Sequence, residues 1–230
     1  MLSLRNAQSI GFDLDQTLTK HSILLCVLSD MLERQIHRTL ECAVDAHDAA
    51  RRVYHGIGGH EKPTHPALRK MKGDFIRSTL GVTPQAEQAI RTVSEDGIPL
   101  YLVSNGPGGK WGHRILRHSG CEDVFQTVIF GEDAPEKKDS PRGIQAALGD
   151  ISISAGQDSF YIGNAASDMI AATRAEITPI AFGERSSAAK YLREAAVTDQ
   201  LTQGMIIPDW AAFSEVYRNP DSVEAFCLIK

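Results

Sequence analysis

A chain of 230 residues, 42% hydrophobic and 23% charged, has enough apolar content to bury a core of its own, which excludes a disordered polymer. Its formal charge of -5, with acids and bases interleaved along most of the sequence, excludes a basic track for nucleic-acid phosphates. The longest apolar run, ILLCVL at 23–28, falls far short of the ~18 residues a membrane span requires, so no membrane partner is expected.

The amino terminus, MLSLRNAQSIGF, lacks the apolar core and small-residue cleavage site of a secretory signal, which makes the cytoplasm the expected compartment. Cys26, Cys42, Cys121 and Cys227 stand far apart with no CxxC pair, so they read as reduced thiols rather than a zinc site or a disulfide framework.

The first β-rich run is SIGF at 9–12, and it leads into DLDQTLT. If the extended chain continues, a period of two turns the side chains of Asp13 and Asp15 to one face, where two carboxylates repel unless positive charge stands between them. About 80 residues then pass before the next strand-like run, where a plain crossover unit needs only ~30. Within that interval, residues 22–54 are helix formers without proline or glycine, residues 54–66 are glycine-rich (YHGIGGHEKPTHP), and residues 66–80 have helical spacing. This pattern predicts a small inserted α-helical cap over 19–83, with the core formed by 1–18 and 84–230.

Beyond the insertion, Thr83 can cap a helix that opens on Pro84 and stops at Gly97. Strand-like runs then follow at 98–103 (IPLYLV), 127–130 (TVIF), 159–163 (SFYIG) and 178–182 (TPIAF), separated by helical segments. That alternation is the rhythm of βαβ units around a parallel sheet. The final RNPDSVEAFCLIK reads equally as a terminal strand or a loose tail.

Several patterns look functional and are better explained otherwise. NGPGGKW at 105–111 departs from the Walker pattern, with Ser104 and Trp111 where glycine and a hydroxyl residue are needed, and GIGG departs from GxGxxG at Glu61. His55, His60 and His65 fall at even intervals in a loop-like stretch without an acid arrangement for zinc catalysis. Leu24, Leu25, Val27, Leu28, Met31 and Leu32 read as core or cap packing.

In open parallel sheets, ligands gather outside the carboxyl ends of the strands, so the polar residues that end each run belong together. They are Asp13 and Asp15, Ser104 and Asn105, the pair Lys137 and Lys138 before a helix, and Asn164 with Asp168 in GNAASD. With FDLDQTLT, LVSNG, KDSP and YIGNAASDMIAA in this order, the chain resembles the haloacid dehalogenase superfamily of phosphotransferases, and its phosphoglycolate-phosphatase-like members in particular. The resemblance runs along nearly the whole chain and implies an α/β fold: a Rossmann-like parallel sheet core with an inserted α-helical cap domain.

The same resemblance implies roles. Asp13 would be the nucleophile that forms an aspartyl-phosphate, and Asp15 the general acid and then base. Superfamily members that cleave carbon–halogen or carbon–phosphorus bonds lack an aspartate at the position of Asp15, so phosphate esters are the expected substrates. Ser104 would hydrogen-bond the transferring phosphoryl group, and Lys138, three before Pro141, would neutralise it. Asp13, Asp15, Asn164 and Asp168 would hold Mg2+; Thr17, Asn105 and Gly106, with Arg51 and Arg52 and the glycines Gly56, Gly58 and Gly59 of the insertion, would contact a small phosphorylated metabolite.

Two positions depart from the family pattern: Asn164 stands where an acid is usual, and Asp139 where proline is usual, which leaves Lys137 open beside Lys138 as the site lysine. Electrostatics gives a separate reason for cations. A phosphate approaching Asp13 meets repulsion on the order of 4 kcal/mol per unit charge pair at ~4 Å and an effective dielectric of ~20. A magnesium-dependent phosphatase is therefore expected, with a phosphomutase, or a fold-sharing binding protein weakened by Asn164, as the alternatives.

Overall fold

The structure is a computed structural model that describes residues 3–19, 81–104, 109–131, 133, 139–198, 201 and 203–227. Nearly all of the expected cap, with Arg51, Arg52 and the three glycines, lies outside the described residues, as do Asn105, Gly106, Lys137 and Lys138.

Strands β1 (Ser9–Phe12), β2 (Leu100–Ser104), β3 (Thr127–Phe130), β4 (Ser159–Gly163), β5 (Thr178–Phe182) and β6 (Met205–Ile207) form one sheet in the order β3-β2-β1-β4-β5-β6. Every neighbouring pair is parallel. The helices are α1 (Pro84–Glu95), α2 (Gly109–His118), α3 (Arg142–Asp150), α4 (Ala166–Arg174), α5 (Ser187–Val197) and α6 (Trp210–Arg218).

Alternation along the strands sorts the core into two faces. Ile10, Phe12, Leu102 and Ile162 face Ile90 of α1, Ile115 of α2 and Phe213 of α6. Tyr101, Val103 and Tyr161 point the other way, against Leu148 of α3 and Ala172 of α4. On that second face, α5 packs Ala189 and Leu192 against Ala181, Ile206 and Met169.

The helix after the insertion forms as its sequence predicts. The Thr83 hydroxyl accepts from the Ala86 amide at 3.3 Å, Pro84 opens the helix, and Gly97 follows its end with φ +81, a conformation only glycine adopts without strain. Three expectations need correction. β2 runs from Leu100 to Ser104 rather than from Ile98, because Pro99 has no amide for the ladder, although its carbonyl still accepts from the Ile10 amide at 3.1 Å. β6 was not expected at all, since MII is only three residues long. The carboxyl-terminal stretch, as far as it is described, to Cys227, is neither a strand nor a loose tail: it turns through a 3-10 helix, Pro220–Ala225, and Cys227 then makes one antiparallel bridge to Met205.

The two ends of the insertion meet at one place. Thr19 pairs with Val82 in an antiparallel bridge, and the Thr83 amide donates to the Leu18 carbonyl at 2.9 Å. The Val82 amide is taken by Ser119, a buried residue just past α2, at 2.8 Å. An insertion that leaves and returns side by side does not disturb the strands around it.

Ser119 therefore fastens the return of the insertion to the core. A Ser119→Ala variant leaves the Val82 amide without its acceptor and should lose about 1–3 kcal/mol of stability, read from urea unfolding. An unchanged midpoint would mean that the Val82 amide finds water instead.

Candidate active site

The sheet order reverses at β1: the chain runs outward through β2 and β3, then returns to place β4 on the other side of β1. Such a switch leaves a crevice beyond the carboxyl ends of the two central strands. Asp13 follows β1 and Asp168 lies in the first turn of α4 after β4.

Asp13 is 2% exposed and extended (φ -81, ψ 155), and its amide continues the ladder by donating to the Ile162 carbonyl at 2.9 Å. Its carboxylate accepts from the Ser104 hydroxyl at 3.1 Å on Oδ1 and from the Thr17 hydroxyl at 3.4 Å on Oδ2. β2 thus supplies one donor and the turn after β1 the other.

That turn, Leu14–Leu18, is of the wide π type, closed by the Thr19 amide donating to the Leu14 carbonyl at 3.1 Å, so the regular strand does not continue beyond Asp13. Asp15 keeps extended angles (φ -75, ψ 118), but Gln16 flips to the left-handed region (φ 60, ψ 5). A residue other than glycine pays roughly 1–2 kcal/mol for that conformation. Thr19 supports it: its hydroxyl accepts from the Gln16 amide at 3.2 Å and donates to the Leu14 carbonyl at 3.3 Å. The two aspartates consequently differ in setting, with Asp13 buried and Asp15 half-buried.

Asp168 is fully buried. As the third residue of α4 it reaches back to accept from the Ala165 amide at 2.9 Å, satisfying a donor that the start of the helix leaves without a partner. It also lies directly over Gly163. A Cβ on Gly163 would stand 2.2 Å from Asp168 Oδ2 and 2.5 Å from its Cγ, so the carboxylate occupies the space of a missing side chain.

Asn164 is half-buried in the loop between β4 and α4, and the start of α5 holds that loop. The Asn164 carbonyl accepts from the Ala188 amide at 3.1 Å and the Ser187 hydroxyl at 3.4 Å, while Ser187 accepts from the Ala166 amide at 3.2 Å.

Beneath the site lies Tyr161, whose hydroxyl donates to the Val103 carbonyl at 2.5 Å. Burial first, and then the charges of Asp168 and Asp13, push this phenol well above its ordinary range, so it stays protonated and donates.

Among the expected site residues, the structure joins Asp13, Ser104 and Thr17 by hydrogen bonds and places Asp168 and Asn164 beyond the neighbouring strand. Thr17, expected to contact substrate, is 2% exposed and turns its hydroxyl to Asp13. Tyr161 and Gly163 were read from the sequence only as strand residues; a glycine ending a strand is the available signal for close approach. Among the described residues no three Asp, Glu, His or Cys side chains converge as a metal cluster. The donor chemistry still fits a hard cation: Asp13, Asp15 and Asp168 offer carboxylate oxygens and Asn164 an amide oxygen, with no nitrogen or sulfur ligand in the set.

The fold and this arrangement define an α/β protein with two buried carboxylates at the carboxyl ends of its central strands. The family model for haloacid dehalogenase-like hydrolases matches residues 10–182, and the chain belongs to that family. A phosphoglycolate phosphatase of Yersinia pestis is 24% identical over 190 residues, covering 76% of this chain and 80% of the relative. A phosphoglycolate phosphatase of Neisseria gonorrhoeae is 25% identical over 187 residues, covering 75% and 78% respectively. The crystal structure of a hydrolase from Pseudomonas syringae superposes with a TM-score of 0.57 at 18% identity, covering 94% of this chain and 98% of the other, a likeness of fold. Among the described residues no helix is long and apolar enough to cross a membrane.

The contact between Gly163 and Asp168 predicts that Gly163→Ala displaces the carboxylate. The expected cost is about 1–3 kcal/mol in denaturant unfolding, with faster hydrogen exchange at the Ala165 amide, which loses its acceptor. Unchanged protection at Ala165 would show that Asp168 accommodates the methyl group in place.

Proposed function

We propose that this chain is a magnesium-dependent phosphatase that hydrolyses a small phosphomonoester through an aspartyl-phosphate on Asp13. The observation that carries the reading is the buried Asp13 carboxylate at the switch point of the sheet, hydrogen-bonded to Ser104 from the next strand. Family membership and the two relatives named phosphoglycolate phosphatase support it, and they put phosphoglycolate first among substrates to try.

In this reading an Asp13 oxygen attacks phosphorus as the bond to the leaving alcohol breaks, and Asp15 delivers a proton to the departing oxygen. Asp15, now a carboxylate, takes a proton from water; the resulting nucleophile attacks the phosphorylated Asp13, releasing inorganic phosphate and restoring the carboxylate. The unequal burial of the two acids fits this division, because the half-buried Asp15 can exchange protons with solvent. Ser104 would transfer its hydroxyl bond from Asp13 to a phosphoryl oxygen, and Lys138 would offset the phosphoryl charge. Mg2+ held by Asp13, Asn164 and Asp168 and by the Asp15 main-chain carbonyl, which leaves the Asp15 side chain to carry the proton, would supply two further positive charges against the phosphoryl oxygens. Asn105, Gly106, Arg51 and Arg52 complete the proposed substrate contacts.

The test is phosphate release from phosphoglycolate, other small phosphomonoesters and an aryl phosphate, with and without Mg2+, comparing the native chain with Asp13→Asn. Metal-dependent release that falls at least about a thousandfold in the variant is expected. Isomerised sugar phosphates without release would make the chain a mutase instead. A folded chain without turnover at saturating metal would make it a binding protein.

The amide at Asn164 sets a second expectation. Asn164→Asp adds one full charge to the donor set and should tighten Mg2+ binding about tenfold, measured by calorimetry on the resting protein. Equal affinities would place Asn164 outside the metal's coordination sphere.

A further inference from the structure

Two tyrosines cross the central strand under the site. Gly11 of β1 pairs with Tyr101 of β2 on one side and with Tyr161 of β4 on the other. Their rings, both fully buried, stack with centroids 6.2 Å apart and planes 29° apart. Gly11 makes room for them: a Cβ there would stand 2.2 Å from the Tyr101 ring.

The two hydroxyls bond in opposite directions. Tyr161 donates across β1 to the Val103 carbonyl of β2 at 2.5 Å, and Tyr101 donates across β1 to the Phe160 carbonyl of β4 at 3.3 Å. The backbone ladder ties β2 and β4 each to β1 but never to one another, because they are not neighbours. These side-chain bonds are direct ties between the two strands that flank β1. A buried phenol hydroxyl costs free energy unless bonded, so packing alone would be served as well by phenylalanine.

Val103 precedes Ser104, the donor to Asp13, and Tyr161 stands two residues before Gly163, the seat of Asp168. We propose that Tyr161 is a positioning residue of the catalytic site: by holding the Val103 carbonyl, it sets the placement of the Ser104 hydroxyl against Asp13. The proposal rests on the reading of Asp13 as the nucleophile and Ser104 as its partner.

Tyr161→Phe keeps the ring and its stacking and removes only the bond to Val103. The expected result is a kcat for aryl phosphate lower by about tenfold with KM within about twofold. In a Ser104→Ala background the same substitution should have almost no further effect, since its influence passes through Ser104. A merely structural role would lower kcat by the same factor in both backgrounds, and that additivity overturns the proposal. So does an unchanged kcat in a chain whose turnover is lost in Asp13→Asn, an outcome that leaves the phosphatase reading standing. A native chain without Asp13-dependent phosphate release would count against that reading instead. A crystal structure of Tyr161→Phe then decides the positioning by geometry alone: Ser104 Oγ beyond about 3.5 Å from Asp13 supports it, and a retained bond overturns it.

Discussion

Two carboxylates buried beyond neighbouring strands are the constraint on which the rest of this structure depends. Asp13 and Asp168 are almost wholly removed from water, and an ion in that position costs several kcal/mol unless hydrogen bonds and opposite charge compensate. The compensating donors come from different parts of the chain: Ser104 from β2, Thr17 from the turn after β1, and the Ala165 amide from the start of α4. No single segment makes the site. Its geometry is a property of strand register, which is why the ladder through Asp13 and Ile162, and the tyrosine ties across Gly11, bear on chemistry as well as on stability.

The turn that carries Asp13 also leads to the place where the described chain on either side of residues 20–80 meets. The chain passes from Asp13 through the π-type turn to Thr19, which pairs with Val82 alongside. The residue that bends this path, Gln16, takes up a left-handed conformation supported by the Thr19 hydroxyl. The same short stretch therefore presents Asp13, places Asp15 nearer solvent and starts the insertion. Strain at Gln16 is tolerable because both threonines of QTLT are spent on holding the turn, one on the Asp13 carboxylate and one on the Gln16 amide and Leu14 carbonyl.

Much of the architecture was legible because parallel strands buried on both faces read as short continuous apolar runs. SIGF, TVIF, SFYIG and TPIAF coincide with β1, β3, β4 and β5. β6 escaped notice because three residues carry no period, and it earns its place by pairing with β5. The order of the motifs pointed to Asp13, Ser104, Asn164 and Asp168 at the ends of their strands. What the sequence did not disclose was the use of each hydroxyl. Thr17 reads as a ligand contact until the turn directs it to Asp13, and Tyr161 reads as an apolar strand residue until the sheet order brings Val103 opposite its hydroxyl. The Tyr161 target lies far away in sequence and leaves no local pattern, and the Thr17 target, though only four residues away, depends on the shape of an irregular turn.

Asn164 bears on the same constraint that governs the site. An aspartate there would add a fourth acid, beside Asp13, Asp15 and Asp168, to the carboxyl ends of β1 and β4. Repulsion between unit charges at ~4 Å and an effective dielectric of ~20 is on the order of 4 kcal/mol, so each added acid strains the metal-free state. The amide keeps an oxygen donor while omitting that charge. On the phosphatase reading, the chain gives up some attraction for the cation and gains a crevice that is less repulsive before the cation arrives. The start of α5 is free to hold the Asn164 carbonyl through Ala188 and Ser187 in either case, so the loop's backbone placement does not depend on which side chain, acid or amide, it carries.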